Sequence, residues 1–156
     1  MTASPIHRAR WADLDPLTLH DLVTLRADIF VVEQECTYRD LDGRDVEPQT
    51  EHLWTADAKG PTSYLRILAE PGATRIGRVC TRADARGQGL SRQLMTAALT
   101  GTDGRTVLLD AVLLDAQAHL TDWYARFGFV VDGPTYVEDG IPHVPMRREP
   151  SSPARA

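Results

Sequence analysis

At 156 residues, with 42% apolar and 25% charged side chains, the chain is long enough to bury a core and ordinary in composition for one globular domain. Twenty-two acids against 17 Lys and Arg leave a net charge of −5, which disfavours a general nucleic-acid binder because that class carries a basic excess. Arg8 and Arg10 precede no apolar run, no stretch approaches the roughly 20 apolar residues of a bilayer span, and Cys36 and Cys80 form no Cys-x-x-Cys pair, so the expectation is a reduced cytoplasmic protein with no secretory signal, membrane partner, disulfide framework or metal.

Ile6–Trp11 alternates as a first strand, and Asp15-Pro16 reads as the cap and first residue of a helix. Leu22, Leu25 and Ile29 recur at helical spacing, which carries that helix to about Val32. The stretch from Gln34 to Thr50 has no sustained period and is long for a connection. His52–Ala56, Thr62–Ala69 and Arg75–Thr81 read as an antiparallel meander separated by Gly/Pro turns. After Gly87-Gln88-Gly89 a helical period begins with Leu90, Leu94, Ala97 and Ala98. Thr106–Leu114 is a near-continuous apolar run, the pattern of a strand covered on both faces. Ala116, Leu120, Trp123, Tyr124 and Phe127 mark another helix ended by Gly128, and Phe129–Val131 and Ile141–Met146 close the chain as strands. The expectation is one α/β domain over residues 1–148, followed by a Pro/Ser/Arg-rich disordered tail over 149–156.

The informative segment is Thr81-Arg82-Ala83-Asp84-Ala85-Arg86-Gly87-Gln88-Gly89-Leu90-Ser91-Arg92, where a strand gives way to a helix across a glycine pair. Glycines permit positive φ and close approach of an anion, and a helix start presents unpaired N–H groups and partial positive charge. Arg86 and Arg92 add full charges, so the segment suits a pyrophosphate held without metal. A Gly-x-Gly pair alone more often marks an ordinary junction. No Gly-Lys-Ser/Thr follows, and the third glycine of the dinucleotide fingerprint is missing, so those two phosphate loops are excluded.

At these residues the chain resembles the GNAT N-acetyltransferases, whose coenzyme A helix opens on Gln/Arg-x-x-Gly-x-Gly/Ala; Arg86–Leu90 fits, and Ser91 stands in the last place. A second block, Gln117 to Phe129, keeps the family spacing Asn-x-x-Ala-x-x-x-Tyr-x-x-x-Gly-Phe, with Gln117 for Asn and Leu120 for Ala. Phe30–Cys36, Leu41–Asp45, Ala116-Gln117 and Glu138–His143 extend the likeness to the ElaA-like subgroup. The resemblance implies a mixed, mostly antiparallel central sheet flanked by helices and splayed between its fourth and fifth strands. It implies acetyl-coenzyme A as acyl donor, bound by Arg86, Gly87, Gln88, Gly89, Leu90, Ser91 and Arg92, by the strand Val79, Cys80 and Thr81, and by Gln117. The implied reaction is direct acetyl transfer to a primary amine, on a small molecule or a protein. Tyr124 takes the family acid's position.

The base is open. Glu33 comes first, at the end of the first helix, with Glu35, His52 and His143 as further groups at the acceptor side. His52 equally suits a buried structural histidine, and His143 a bulge in the last strand. Cys80 is expected as an inert core thiol facing opposite to Val79 and Thr81, rather than as a nucleophile. The acids Glu33, Glu35, Asp40, Asp42, Asp45 and Glu47 either form a solvated loop or a rim that attracts a cationic amine; they lack the spacing of a calcium loop. A non-catalytic acyl-coenzyme A sensor is the rival reading, and a homodimer is left open.

Overall fold

Adjacent apolar residues, buried on both faces of their strands, build the centre of the computed structural model, which describes residues 3–100 and 110–150. Strands β2 (Glu51–Asp57), β3 (Gly60–Glu70) and β4 (Ala73–Thr81) form the expected antiparallel meander. Strand β1 (His7–Ala9) borders β2, and β5 (Ala111–Gln117) lies beside β4 in parallel. On its other side β5 pairs antiparallel with β8 (Ile141–Arg148), whose outer edge takes both β6 (Val130–Val131) and β7 (Tyr136–Glu138). Among the described residues the result is one eight-stranded mixed sheet in which only the β4–β5 pair is parallel.

Neighbouring residues on a strand face opposite ways, and this assigns two cores. Trp54, Tyr64 and Cys80 pack with Leu22, Leu25, Ile29 and Phe30 from the first helix. Their strand neighbours Leu53 and Leu65 face the other way, onto Leu94, Met95 and Ala98 of α2 (Leu90–Thr100). Helix α1 (Pro16–Arg26) begins as its sequence dictates: the Asp15 carboxylate accepts from the Thr18 N–H at 2.9 Å, and Pro16 fills the first position, where no N–H is needed. Beyond Arg26 the coil widens into a π-helical segment, Ala27–Glu33, in which the Gln34 N–H reaches five residues back to the Ile29 carbonyl at 2.9 Å.

Several boundaries differ from the sequence expectation. The first strand stops at Ala9, because Trp11–Asp13 closes a 3-10 turn. The strand expected over 106–114 is seen over 111–117; residues 106–109 lie outside the described residues. Its last three residues, Asp115 to Gln117, find partners at Pro145, Val144 and His143 on β8. With Gln117 taken by the sheet, the following helix shrinks to a 3-10 turn (Ala118–Leu120) and α3 (Thr121–Ala125), and Gly128 at φ +91° ends it. Strand β7 was not expected. It forms because Asp139 (φ 50°) and Gly140 (φ 76°) make a two-residue hairpin turn onto β8. Of the expected tail, residues 151–156 lie outside the described residues.

The feature that positions the site is where β4 and β5 part. Their ladder holds only from Ala73 to Arg75 against Ala111 to Leu113. Beyond it, β4 carries a bulge: Arg78 and Val79 together oppose Leu65, and Arg78 takes φ 53°. A bulge bends its strand and strengthens the local twist, so β4 turns away from β5 and a cleft opens between them.

Candidate active site

On one side of the splay the cleft encloses about 520 Å³ and runs to the glycine loop at the start of α2. Gly87 and Gly89 hold φ of 78° and 74°, and a β-carbon on either would meet no protein atom within 4 Å. The loop is thus an open cradle whose backbone conformation, not crowding, calls for glycine. The first bond within α2 runs from the Gln93 N–H to the Gly89 carbonyl at 3.0 Å, so the amides of Leu90, Ser91 and Arg92 belong to the unpaired first turn. These amides and the exposed Arg92 suit a diphosphate by charge and by donor geometry. Gln88 lines the neighbouring groove rather than this cleft.

Ser91, the departure from the family pattern, points its hydroxyl inward. Its Oγ lies 2.7 Å from Thr81 Oγ1 and 3.3 Å from Ser63 Oγ, which itself donates to the Cys80 carbonyl at 3.1 Å. The hydroxyl braces β3, β4 and α2, and Ser91 still lines the cleft. Arg86 is less free than its position suggests. Its guanidinium makes two bonds to Glu33, at 2.7 and 2.5 Å, and its Nε donates to the Thr81 carbonyl at 3.1 Å. Hydrogen bonding and charge from Arg86 hold the Glu33 carboxyl below its usual range, which weakens Glu33 as a proton acceptor.

On the other side of the splay a second cleft of about 500 Å³ opens under the 34–42 loop and the β7–β8 hairpin. The two clefts share Gln34, Val79, Gln117, Leu120 and Tyr124. Gln117 Nε2 donates to Gln34 Oε1 at 3.0 Å, tying the end of β5 to the end of the first helix. Tyr124 sits at the junction, packed edge-on against Trp123 and Phe129. Burial alone pushes its pKa up to about 12, so at neutral pH the hydroxyl keeps its proton and acts as a donor.

The remaining expected residues separate clearly. His52 is fully buried beneath the first helix; Nδ1 lies 2.6 Å from the Tyr64 hydroxyl and Nε2 3.1 Å from the Asp45 carbonyl, so both ring nitrogens are engaged within the core. Glu35 is exposed at φ 56° and lines neither cleft. His143 lines the second cleft. Cys80 lies in the core under α1, facing away from Val79, and burial pushes its thiol up to about 12, the state of an inert core thiol.

Three acids of the loop, Asp40, Asp42 and Asp45, are taken up by arginines and form no free rim for cations, whereas Glu35 is exposed. Arg26, wholly buried, binds Asp45 at 2.7 and 3.2 Å and Asp40 at 3.1 Å. Arg66 binds Asp42 at 2.9 and 2.7 Å and Asp45 at 3.2 Å, and Arg78 pairs with Asp40 at 3.0 Å. Burial opposes ionisation of Asp45, but hydrogen bonds and charge from Arg26 and Arg66 outweigh it and hold the carboxyl low. These three arginines are the residues sequence reasoning missed. A signal existed for one, since Arg26 stands on the apolar stripe of α1, one turn after Leu22. Among the described residues no group of three or more His, Cys, Asp or Glu could hold a metal ion, and no helix is long and apolar enough to cross a membrane.

Comparison with known proteins agrees with this geometry. The family described as acetyltransferase (GNAT) domain matches residues 27–150. A UPF0039 protein of Mycobacterium tuberculosis is 47% identical over 90% of this chain and 91% of its own. An acyl-CoA N-acyltransferase from Pseudomonas aeruginosa superposes with a TM-score of 0.85 at 43% identity, over 94% of this chain and 99% of that one. The structure of Escherichia coli ElaA superposes with a TM-score of 0.86 at 35% identity, over 94% and 100%.

Proposed function

Because the chain belongs to the GNAT acetyltransferase family, we propose that it transfers an acetyl group from acetyl-coenzyme A directly to a primary amine in the cytoplasm. The observation that carries this reading is the meeting of two clefts, one behind the glycine loop and one beneath the β7–β8 hairpin, at Val79, Gln117 and Tyr124. A donor lying from the glycine loop to the splay would bring its thioester to that junction, and an amine in the second cleft would face it.

In this reading the amides of Gly87, Gly89, Leu90, Ser91 and Arg92 hold the diphosphate, and the Arg92 guanidinium adds charge. The edge of β4 at Val79 and Thr81, with Cys80 between them, offers backbone groups to the donor's amide arm in the manner of an added strand. Gln117 offers its side-chain amide to the same arm. The Val79 amide, at the bulge, polarises the thioester carbonyl. The donor supplies an activated acyl carbon and a thiol leaving group. With a Cys-like thiol pKa of about 8.5, the departing thiolate is a weaker base than tyrosinate. Tyr124 therefore hydrogen-bonds the sulfur and gives its proton up only as it takes another, never standing as a free tyrosinate. Direct attack is favoured over a covalent enzyme intermediate because Cys80, the thiol at the splay, is protonated and faces the other core.

Calorimetry with acetyl-coenzyme A, followed by thiol release with a panel of amines, tests the reading. Gly89→Val should weaken donor binding at least tenfold, because φ of 74° strains a side-chain residue by about 1–2 kcal/mol and the added methyls enter the cradle. No binding heat, or an unchanged affinity in Gly89→Val, would refute it.

A further inference from the structure

Direct attack requires a group that takes a proton from the ammonium form of the acceptor, and Glu33, held by Arg86, is poorly suited to it. We propose that His143 is that general base, a role that rests on the acyltransferase reading above. His143 stands on β8 between Gln117 of β5 and Tyr136 of β7, its register partners on either side, and it lines the acceptor cleft that Tyr124 also lines.

One hydrogen bond sets the orientation of the ring, and one stacking contact covers its face. Its Nδ1 lies 2.8 Å from the Ile141 carbonyl, and a carbonyl can only accept, so Nδ1 carries the proton. The neutral ring therefore bears its lone pair on Nε2, which has no hydrogen-bond partner among the described residues. The Tyr136 ring stacks on the imidazole with centroids 5.6 Å apart and planes 20° from parallel and covers one face of it, while the Ile141 bond selects which nitrogen is left free. His52 offers the contrast: both of its nitrogens are spent inside the core.

The proton balance closes with these residues. The acceptor, R–NH₃⁺, gives one proton to His143 Nε2. The freed nitrogen lone pair forms the C–N bond while the carbonyl π pair moves to oxygen. When that pair returns, the C–S bond breaks with its electrons on sulfur. The second nitrogen proton reaches the sulfur through the Tyr124 hydroxyl, which gives its own proton as it takes another, and His143 releases the first proton to solvent. The products are the amide, the thiol and one proton.

The experiment compares His143→Gln, which keeps a polar side chain without a basic nitrogen, and His143→Ala with the unaltered protein, using acetyl-coenzyme A and two acceptors. One acceptor is an alkylamine, charged at pH 7; the other is an arylamine, already neutral. His143→Gln should lower kcat for the alkylamine about 100-fold, lower that for the arylamine less than about threefold, and leave the affinity for acetyl-coenzyme A unchanged. Added imidazole should restore His143→Ala at least tenfold toward the alkylamine. Equal losses with both amines, or a change in kcat below threefold, would overturn the proposal. An unaltered protein that transfers to no amine would overturn the acyltransferase reading itself, and this role with it.

Discussion

Replacing Arg26 by Met removes the centre of the buried ion network without changing the length of the side chain much. Arg26 is wholly inaccessible to solvent and makes two bonds to the Asp45 carboxylate, one to the Asp40 carboxylate and one, at 2.8 Å, to the Asp40 carbonyl. Breaking a buried pair from one side costs about 3–5 kcal/mol, mostly because a charge is left behind without a partner. Asp45, itself buried, would keep only Arg66 at 3.2 Å, so the loss should fall near the lower end, about 3 kcal/mol at pH 7. For a chain of this length that corresponds to a fall in Tm of roughly 6–12 °C.

The pH dependence follows from the sign of the shift at Asp45. In the unaltered protein its folded pKa is depressed, so its stabilisation is present above the unfolded value of about 3.9 and is lost as pH falls through the folded one. In Arg26→Met burial is opposed by Arg66 alone, the folded pKa rises, and protonation relieves the orphaned charge. The stability gap between the two proteins should therefore narrow from pH 7 toward pH 4. Urea unfolding at several pH values measures it, and Arg26→Met/Asp45→Asn should recover part of the loss. A fall in Tm below 2 °C, or a gap that does not change with pH, would refute this account of the network.

Two further expectations concern groups around the clefts. Cys36 and Cys80 are both buried and burial raises both thiols, so native protein at pH 8 should react with a thiol reagent at least 100-fold more slowly than unfolded protein; a rapidly labelled Cys80 would contradict its placement under α1. Asp139, at the tip of the β7–β8 turn, accepts from Thr37 Oγ1 at 2.5 Å and from the Tyr38 N–H at 3.2 Å, tying the turn to Tyr38 at the edge of the second cleft. Asp139→Ala should cost less than about 1 kcal/mol of stability at this exposed site while speeding hydrogen exchange at the Tyr38 amide and raising KM for the acceptor more than for acetyl-coenzyme A. Unchanged exchange would show that the bond does not hold the loop.

Much of the glycine-loop side was legible because its determinants are local. Positive φ at Gly87 and Gly89 and free amides at a helix start are properties of consecutive residues and lie where their pattern put them, while Gln117 ends β5 instead of opening the helix. The second cleft was not legible in the same way. Strand β7 is exposed at all three residues and carries no apolar alternation, so only the Asp139-Gly140 pair announced its turn. The bulge at Arg78 left one mark, the isolated Gly77 before it, in a strand that was read as continuous. The acidic loop read as open charge because its arginine partners come from α1, β3 and β4, between 14 and 38 residues away in the chain.

From its own order of residues, then, the chain determines the elements, the glycine loop and the family spacing, all of which depend on contacts within a turn or two. Tertiary structure alone decides which carboxylates are neutralised, which imidazole is spent in the core and which faces a cleft. Charge and proton affinity depend on groups brought close through space, and the pairing of β8 with β5 and β7 is what sets His143 opposite Gln117 and Tyr136.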